Sequence, residues 1–211
     1  NYSFITEASA VAADRLSITL GDTNALAASD TVQLGAGTDQ ISISVNGKDL
    51  SLNLAGSTTF GGGVETLYLS GAAATATTGV SITLDKDATS ALTLLDASGM
   101  TNGLTVNVGD QNTALTLRGS SGADVFVLGQ APAAMTVSLV DGGADTVRVA
   151  HSLTSANRVT VQNFTVGNTA GAFDFIDLVK ADGSALTVTL TQTATTGSTL
   201  TFAATDPTAG L

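Results

Sequence analysis

Cysteine and tryptophan are absent from the 211-residue chain, and histidine occurs once, at His151. Without cysteine there can be no disulfide framework, no thiolate metal site and no thiol nucleophile. A single histidine excludes a histidine-rich metal centre and leaves little scope for a nucleophile–histidine pair. Aromatic residues make up only 4% of the chain, so large rings cannot dominate its core.

Positive charge is also scarce, with seven Lys and Arg against eighteen Asp and Glu and a net charge of −11. This balance argues against nucleic acid and anionic lipid as partners. No apolar run approaches the length of about 18 residues that crosses a bilayer, so we expect no membrane insertion. The N-terminus lacks the basic start and apolar middle of a signal peptide, and we take the chain as a segment or a processed product. A mean hydropathy of +0.33 separates the chain from intrinsically disordered proteins.

What the chain does contain is alternation of apolar residues with Thr, Ser and Asn along nearly its whole length. Period two places one set of side chains inward and the other outward on a β-strand. Roughly fifteen such runs, separated by Gly, Asp, Asn or Ala, predict an all-β fold with short strands. Clear examples are Ile41–Val45, Leu50–Leu54, Val80–Leu84, Leu104–Val108, Val137–Leu139 and Leu186–Leu190.

Two all-β architectures fit this pattern, a β-solenoid and, as the alternative, a β-sandwich. Sandwich cores usually contain several aromatic residues, whereas the thin core of a solenoid stacks aliphatic side chains. The inward residues here are nearly all Val, Ile and Leu, which favours the solenoid. We predict an N-terminal cap or lead-in strand over 1–30, a solenoid over 31–190, and a terminal strand and tail over 191–211.

Three breaks between strands share the form Gly-x-Asp-x-(large apolar). They contain Gly37 with Asp39, Gly122 with Asp124, and Gly143 with Asp145, the last preceded by Asp141. Glycine permits a positive φ and exposes carbonyl oxygens in a tight turn, and Asp adds a hard anionic oxygen. Calcium takes six to eight oxygen ligands. The seven residues are therefore candidate Ca²⁺ ligands, and the alternative is that each Asp only caps its own turn.

Spacing separates these candidates. Two nonapeptides form one coil of about 18 residues in the calcium-binding repeat class. Asp145 follows Asp124 by 21 residues, so we expect the two to stack on one edge and share an ion, with Asp141 as a further ligand. Asp39 has no second Gly-x-Asp one coil away, which makes its site a separate prediction.

The turns GSSGADVFVLG and DGGADTVRV resemble the calcium-binding repeats of RTX (hemolysin-type) proteins. The stretch from Val159 to Gly167, followed by Phe173–Leu178, resembles the segment that often closes such arrays. Asn163 stands there where the family usually has Asp. No repeat has all three glycines of the full nonapeptide, so the resemblance implies fewer calcium ions than in a complete array.

Two further phrases resemble the calcium-dependent S-layer proteins of Gram-negative bacteria. They are Gly63–Leu67 and Leu95–Val106, the second running into the repeat at Gly119. The resemblance implies a parallel β-roll in a secreted protein at the extracellular cell surface, exported by a type I system. It also implies self-association into a lattice or filament. Cell-surface polysaccharide is a second candidate partner, and the alternative function is the repeat or binding module of a secreted adhesin or exoenzyme.

An enzyme is not expected. Paired carboxylates such as Asp85 with Asp87 and Asp174 with Asp177 are close in sequence, where a solvated turn or a calcium ligand explains them. Glycoside hydrolysis needs two carboxylates at a defined separation across a cleft, which a sequence alone does not show. The sequence therefore predicts a non-enzymatic structural protein.

Overall fold

The computed structural model describes residues 3–5, 13–19, 31–33, 37–53, 60–61, 63–75, 79–84, 91–109, 113–129, 134–139, 142–151, 159–166, 173–180, 189–196 and 199–205. Every regular element in these ranges is a β-strand, which confirms the all-β prediction. None of the described residues forms a helix long and apolar enough to cross a membrane.

Eighteen strands are found in the described parts of the chain. The first nine are β1 (Ser3–Ile5), β2 (Arg15–Thr19), β3 (Thr31–Gln33), β4 (Asp39–Ser44), β5 (Leu50–Asn53), β6 (Phe60–Gly61), β7 (Val64–Gly71), β8 (Val80–Leu84) and β9 (Leu94–Met100). The remaining nine are β10 (Leu104–Val108), β11 (Leu115–Arg118), β12 (Val125–Leu128), β13 (Met135–Ser138), β14 (Thr146–His151), β15 (Val159–Gln162), β16 (Phe175–Lys180), β17 (Thr189–Thr196) and β18 (Thr199–Thr205).

Two parallel sheets hold most of these strands. One has six strands in the order β16-β14-β12-β10-β8-β5, and the other has seven in the order β15-β13-β11-β9-β7-β4-β2. From β7 onward, successive strands alternate between the two sheets, so each coil of chain contributes one strand to each. This is a parallel β-solenoid, as predicted, and the described residues of the two large sheets show no antiparallel layer of the sandwich alternative.

The first and last parts of the solenoid carry additional strands. β1, β3 and β6 form a third, short parallel sheet, so the coil that contains β4, β5 and β6 has three strands where the later coils have two. β17 and β18 form an antiparallel hairpin, and β18 lies beside β15. The seven-stranded sheet begins with β2, which lies within the segment 1–30; the domain boundaries stay a prediction.

The core lies between the two sheets and is built from the inward side chains of alternating strands. In β10 the inward residues Leu104, Val106 and Val108 are buried, while Thr105 and Asn107 between them are partly exposed. β4 and β8 repeat the pattern. Phe126 is the largest fully buried side chain and the only aromatic one in the described core, which agrees with the expected narrow aliphatic interior.

The coils are longer than the predicted repeat of about 18 residues. Residues bonded to each other in adjacent coils are 20, 21, 25, 26 or 29 positions apart. The prediction was wrong because it assumed two nonapeptides per coil. The strands are joined here by corners of variable length, and parallel pairing fixes the register of the strands without fixing the length of the corners.

Candidate functional site at the Gly-Asp corners

Asp124 ends the corner that joins β11 to β12 and is fully buried. It precedes Phe126 by two positions, so its side chain has the same inward direction. Oδ1 accepts hydrogen bonds from the Ser120 hydroxyl at 2.7 Å and from the Leu104 N–H of the preceding coil at 3.0 Å. Oδ2 accepts the Ser120 N–H at 2.7 Å. The carboxylate therefore closes its own corner and also binds the coil before it.

Asp145 and Asp174 repeat this contact in the next two coils. The Asp124 N–H donates to Oδ1 of Asp145 at 2.8 Å, and the Asp145 N–H donates to Oδ1 of Asp174 at 2.9 Å. Oδ2 of Asp174 accepts the Thr165 N–H at 2.7 Å. We call Asp124, Asp145 and Asp174 the acid column. Each member binds the backbone of the coil before it, as predicted for the stacking of Asp124 and Asp145.

The glycines of these corners allow the backbones of neighbouring coils to approach closely. A Cβ at Gly122 would overlap the backbone nitrogen of Gly103 in the coil before. Gly143 has φ +84°, and a Cβ there would overlap the carbonyl oxygen of Gly122. Glycine is thus required at Gly143 because its φ is positive, whereas at Gly122 it is required because there is no space for a Cβ.

Asp39 belongs to a separate set of contacts at the other end of the solenoid. Its Oδ1 accepts the Asp14 N–H at 2.9 Å, and its own N–H donates to Oε2 of Glu65 at 2.6 Å. Its Oδ2 is buried without a hydrogen-bond partner. Gly37 is exposed beside it. The same device, a carboxylate that accepts the N–H of the preceding coil, therefore recurs in the seven-stranded sheet.

Burial controls the electrostatics of the acid column. Desolvation, together with the charges of Asp124 and Asp174, raises the pKa of Asp145 to about 7, although the hydrogen bond from the Asp124 N–H opposes the shift. Burial also raises the pKa of Asp124, against the hydrogen bonds from Ser120 and Leu104. Burial of Asp124 and Asp145 thus opposes their ionisation, and the N–H donors offset part of the cost.

The hydrogen bonds around Asp124 differ from the ligand arrangement of a calcium site. Calcium needs six to eight oxygen ligands, whereas the groups around Asp124 are N–H and O–H donors. Asp141 lies outside the described residues. No group of three or more His, Cys, Asp or Glu in the described ranges is placed to hold a metal ion. Calcium binding at Asp39, Asp124, Asp141, Asp145 and the three glycines stays a prediction.

Sequence reasoning missed Ser120, Asp174 and Glu65. Asp174 could have been found, because it stands two positions before the apolar Ile176, as Asp124 stands before Phe126. It was assigned to a local pair with Asp177, which instead binds Arg148 on the outer face at 2.8 Å. Glu65 carries no signal of this kind, because its partner Asp39 is set by the stacking of coils. Ser120 is a local partner, four positions before Asp124 in the same corner, but it lies outside the Gly-x-Asp motif.

Comparisons of the chain with protein-family models, with curated proteins and with solved structures returned no match. The corner geometry and the architecture of the described coils therefore provide the basis for a functional proposal.

Proposed function

We propose that this chain is a non-enzymatic structural protein that associates end to end with copies of itself into a filament or surface layer. The secreted, cell-surface location implied by the RTX and S-layer resemblance is part of the proposal. One observation carries the self-association: where the described core is incompletely buried, it is at the two ends of the solenoid.

The partly buried apolar residues of the core come from its terminal coils. At the N-terminal end they are Leu16 and Ile18 of β2, whose counterparts Ile41 and Ile43 in β4 are fully buried. At the C-terminal end they are Val159, Phe164, Ile176 and Leu178. A solenoid buries its core by stacking one coil on the next, so its terminal coils need a cap or a partner.

A second copy suits these ends because both belong to the same parallel architecture. Within each of the two large sheets all strands run in the same direction, so the last coil of one copy can stack on the first coil of another. Such a head-to-tail contact is heterologous and does not close on itself, which produces fibres or open arrays. End-to-end burial of aliphatic residues contributes about 25 cal/mol per Å² of apolar surface.

The test uses one charged substitution at each end. Leu16→Glu removes the N-terminal contact and Leu178→Glu removes the C-terminal one, so each variant alone should stay monomeric in sedimentation velocity and negative-stain microscopy. A mixture of the two retains one matching pair of intact ends and should give dimers only. Thr83→Glu, on the outer face of a central strand, adds the same charge and should assemble like the unmodified chain.

Two outcomes would count against the proposal. An unmodified chain that stays monomeric at every concentration, with and without calcium, would favour the module of an adhesin or exoenzyme. Assembly that survives both end substitutions would place the contact elsewhere on the molecule. Circular dichroism of each variant checks that the solenoid is still folded.

A further inference from the structure

We infer that the Gly-x-Asp corners of the last coils are fastened without an ion, because the carboxylate of each coil binds the backbone N–H of the coil before it. This inference departs from the resemblance to calcium-binding repeats and is independent of the proposed function. It concerns the acid column, Asp124, Asp145 and Asp174, and the glycines beside it.

The first support is the occupancy of the carboxylate oxygens. Each carboxylate oxygen offers two lone pairs. Both lone pairs of Asp124 Oδ1 are taken, by the Leu104 N–H and the Ser120 hydroxyl, and Oδ2 accepts the Ser120 N–H. A cation at this corner would have to displace donors that are themselves buried, and an unpaired buried N–H costs about 1 to 3 kcal/mol.

The second support is the polarity of the surroundings. The N–H groups of Leu104, Asp124 and Asp145 are directed at the carboxylates of the column. Their hydrogens carry partial positive charge, so they stabilise an anion and repel a cation at the same point. A calcium site requires the opposite arrangement, with carbonyl and carboxylate oxygens converging on one centre.

The third support is the direction of the carbonyl groups that a calcium turn would use. The Ala123 carbonyl oxygen lies against Gly103, and the Gly122 carbonyl oxygen lies against Gly143. The Ser121 carbonyl oxygen is likewise close to Gly142. These oxygens contact the backbone of neighbouring coils, so the glycines serve close stacking. Both elements of the Gly-x-Asp motif thus have a role that involves no metal.

The experiment compares two substitutions of Asp145 in the full chain. Asp145→Asn keeps an oxygen that accepts the Asp124 N–H but removes the charge that a calcium ligand needs. Asp145→Ala removes the acceptor. Thermal unfolding is measured for both, and for the unmodified chain, in excess EGTA and in millimolar CaCl₂, with calorimetric titration of Ca²⁺ into the chelated proteins.

In EGTA we expect Asp145→Asn to unfold near the temperature of the unmodified chain and Asp145→Ala to unfold about 3 to 10 °C lower. Calcium should shift the unfolding temperatures of the unmodified chain and of Asp145→Asn by the same amount, whether that amount is zero or comes from a site elsewhere. A shift or a bound ion that is lost in Asp145→Asn alone would overturn the inference.

A measurement on the unmodified chain covers the case in which a variant does not fold. The amide signals of Leu104, Asp124 and Asp145 are followed by NMR while CaCl₂ is added after EGTA treatment. We expect them to stay in place, since their acceptors are unchanged. Movement of these three signals on calcium addition would mean that an ion takes over the carboxylates.

Discussion

One inward position lies at, or just before, the start of each strand of the six-stranded sheet. The residue at this position is apolar in the early coils and acidic in the late ones. All six residues are buried, with at most 7% of any of them exposed. They are paired from coil to coil in the order Leu50, Val80, Leu104, Asp124, Asp145 and Asp174.

The apolar and acidic halves of this six-residue set differ in the acceptor that each provides for backbone N–H groups. The Leu50 N–H donates to the carbonyl oxygen of Gly79 in the next coil, at 2.6 Å. The Leu104 N–H finds no such carbonyl, because the Ala123 oxygen lies against Gly103, and it donates to Asp124 instead. A corner that turns its carbonyl away thus requires an acceptor from a side chain, and buried donors are almost always paired.

The largest expected effect comes from breaking the close approach of the acidic corners. Gly122→Val would push a branched side chain into the backbone of Asn102 and Gly103. We expect a loss of about 4 kcal/mol or more in the free energy of unfolding, or no soluble protein. Urea denaturation measures this loss of free energy, and Ser121→Ala, at an exposed position in the same corner, is the control. A Gly122→Val chain of unmodified stability would show that these corners do not touch.

The next largest losses of stability are expected from truncating the two residues where this set changes from apolar to acidic, Leu104 and Asp124. Asp124→Ala leaves the Leu104 N–H and the Ser120 N–H without their acceptor and leaves the Ser120 hydroxyl only its 3.5 Å contact with the Gly122 carbonyl oxygen, at a cost of about 3 to 5 kcal/mol. Leu104→Ala leaves a cavity, which lowers the free energy of unfolding by about 2 to 5 kcal/mol. Asp124→Asn should recover part of the loss, whereas no polar residue should rescue Leu104. Equal stability of Asp124→Ala and Asp124→Asn in urea denaturation would contradict the hydrogen-bonding role.

The acid column should also make stability depend on pH. The pKa of Asp145 is raised to about 7 from 3.8, so the folded state holds a proton that the unfolded state has released. Its stabilising contribution is complete below about pH 4 and is lost as the pH rises through 7. We expect the unfolding free energy to fall by about 1 to 3 kcal/mol between pH 5 and 8.

Asp145→Asn provides the control for this dependence, because the amide does not titrate in that range. Its unfolding free energy should vary less between pH 5 and 8 than that of the unmodified chain. The opposite slope, with stability rising toward pH 8 in the unmodified chain alone, would mean that Asp145 is ionised and favourably paired in the folded protein.

The smallest effect is expected on the outer faces. Arg148 and Asp177 form an ion pair at 2.8 Å, but about half of each side chain is exposed. Exposed pairs contribute at most about 1 kcal/mol and are screened by salt. Arg148→Gln should therefore change the urea midpoint very little. The change should be smaller still in about 0.5 M NaCl, where the Debye length is only a few Å. A large loss would give this pair a structural role that its exposure does not predict.

The strands could be predicted from the sequence, and their corners could be predicted only in part. Alternation located β4, β8 and β10 because period two is a local property of the chain. It could not assign strands to sheets, since both sheets have the same inward pattern. The partner of Asp124 in the neighbouring coil could not be predicted either, because the Leu104 N–H reaches its carboxylate only after parallel pairing sets the register of the coils.

The glycine and aspartate of each corner were identified from their spacing in the sequence, and their calcium chemistry stays a prediction. Gly-x-Asp satisfies two different requirements, an ion with converging oxygens or a close backbone contact with a carboxylate acceptor. The choice between them depends on where neighbouring carbonyl groups point, which is a property of stacked coils. Asp174 shows the same limit, because a corner of different length carries the same buried carboxylate.

Amide hydrogen exchange at Leu104 and Asp124 tests most directly whether the carboxylates hold successive coils together. In the unmodified chain both N–H groups should exchange slowly, as buried donors do. Asp124→Ala should release the Leu104 N–H selectively, and Asp145→Ala should release the Asp124 N–H, while the amides of β8 remain protected. If both amides stay protected in these variants, the acceptors are not the carboxylates and the account of the corners is wrong.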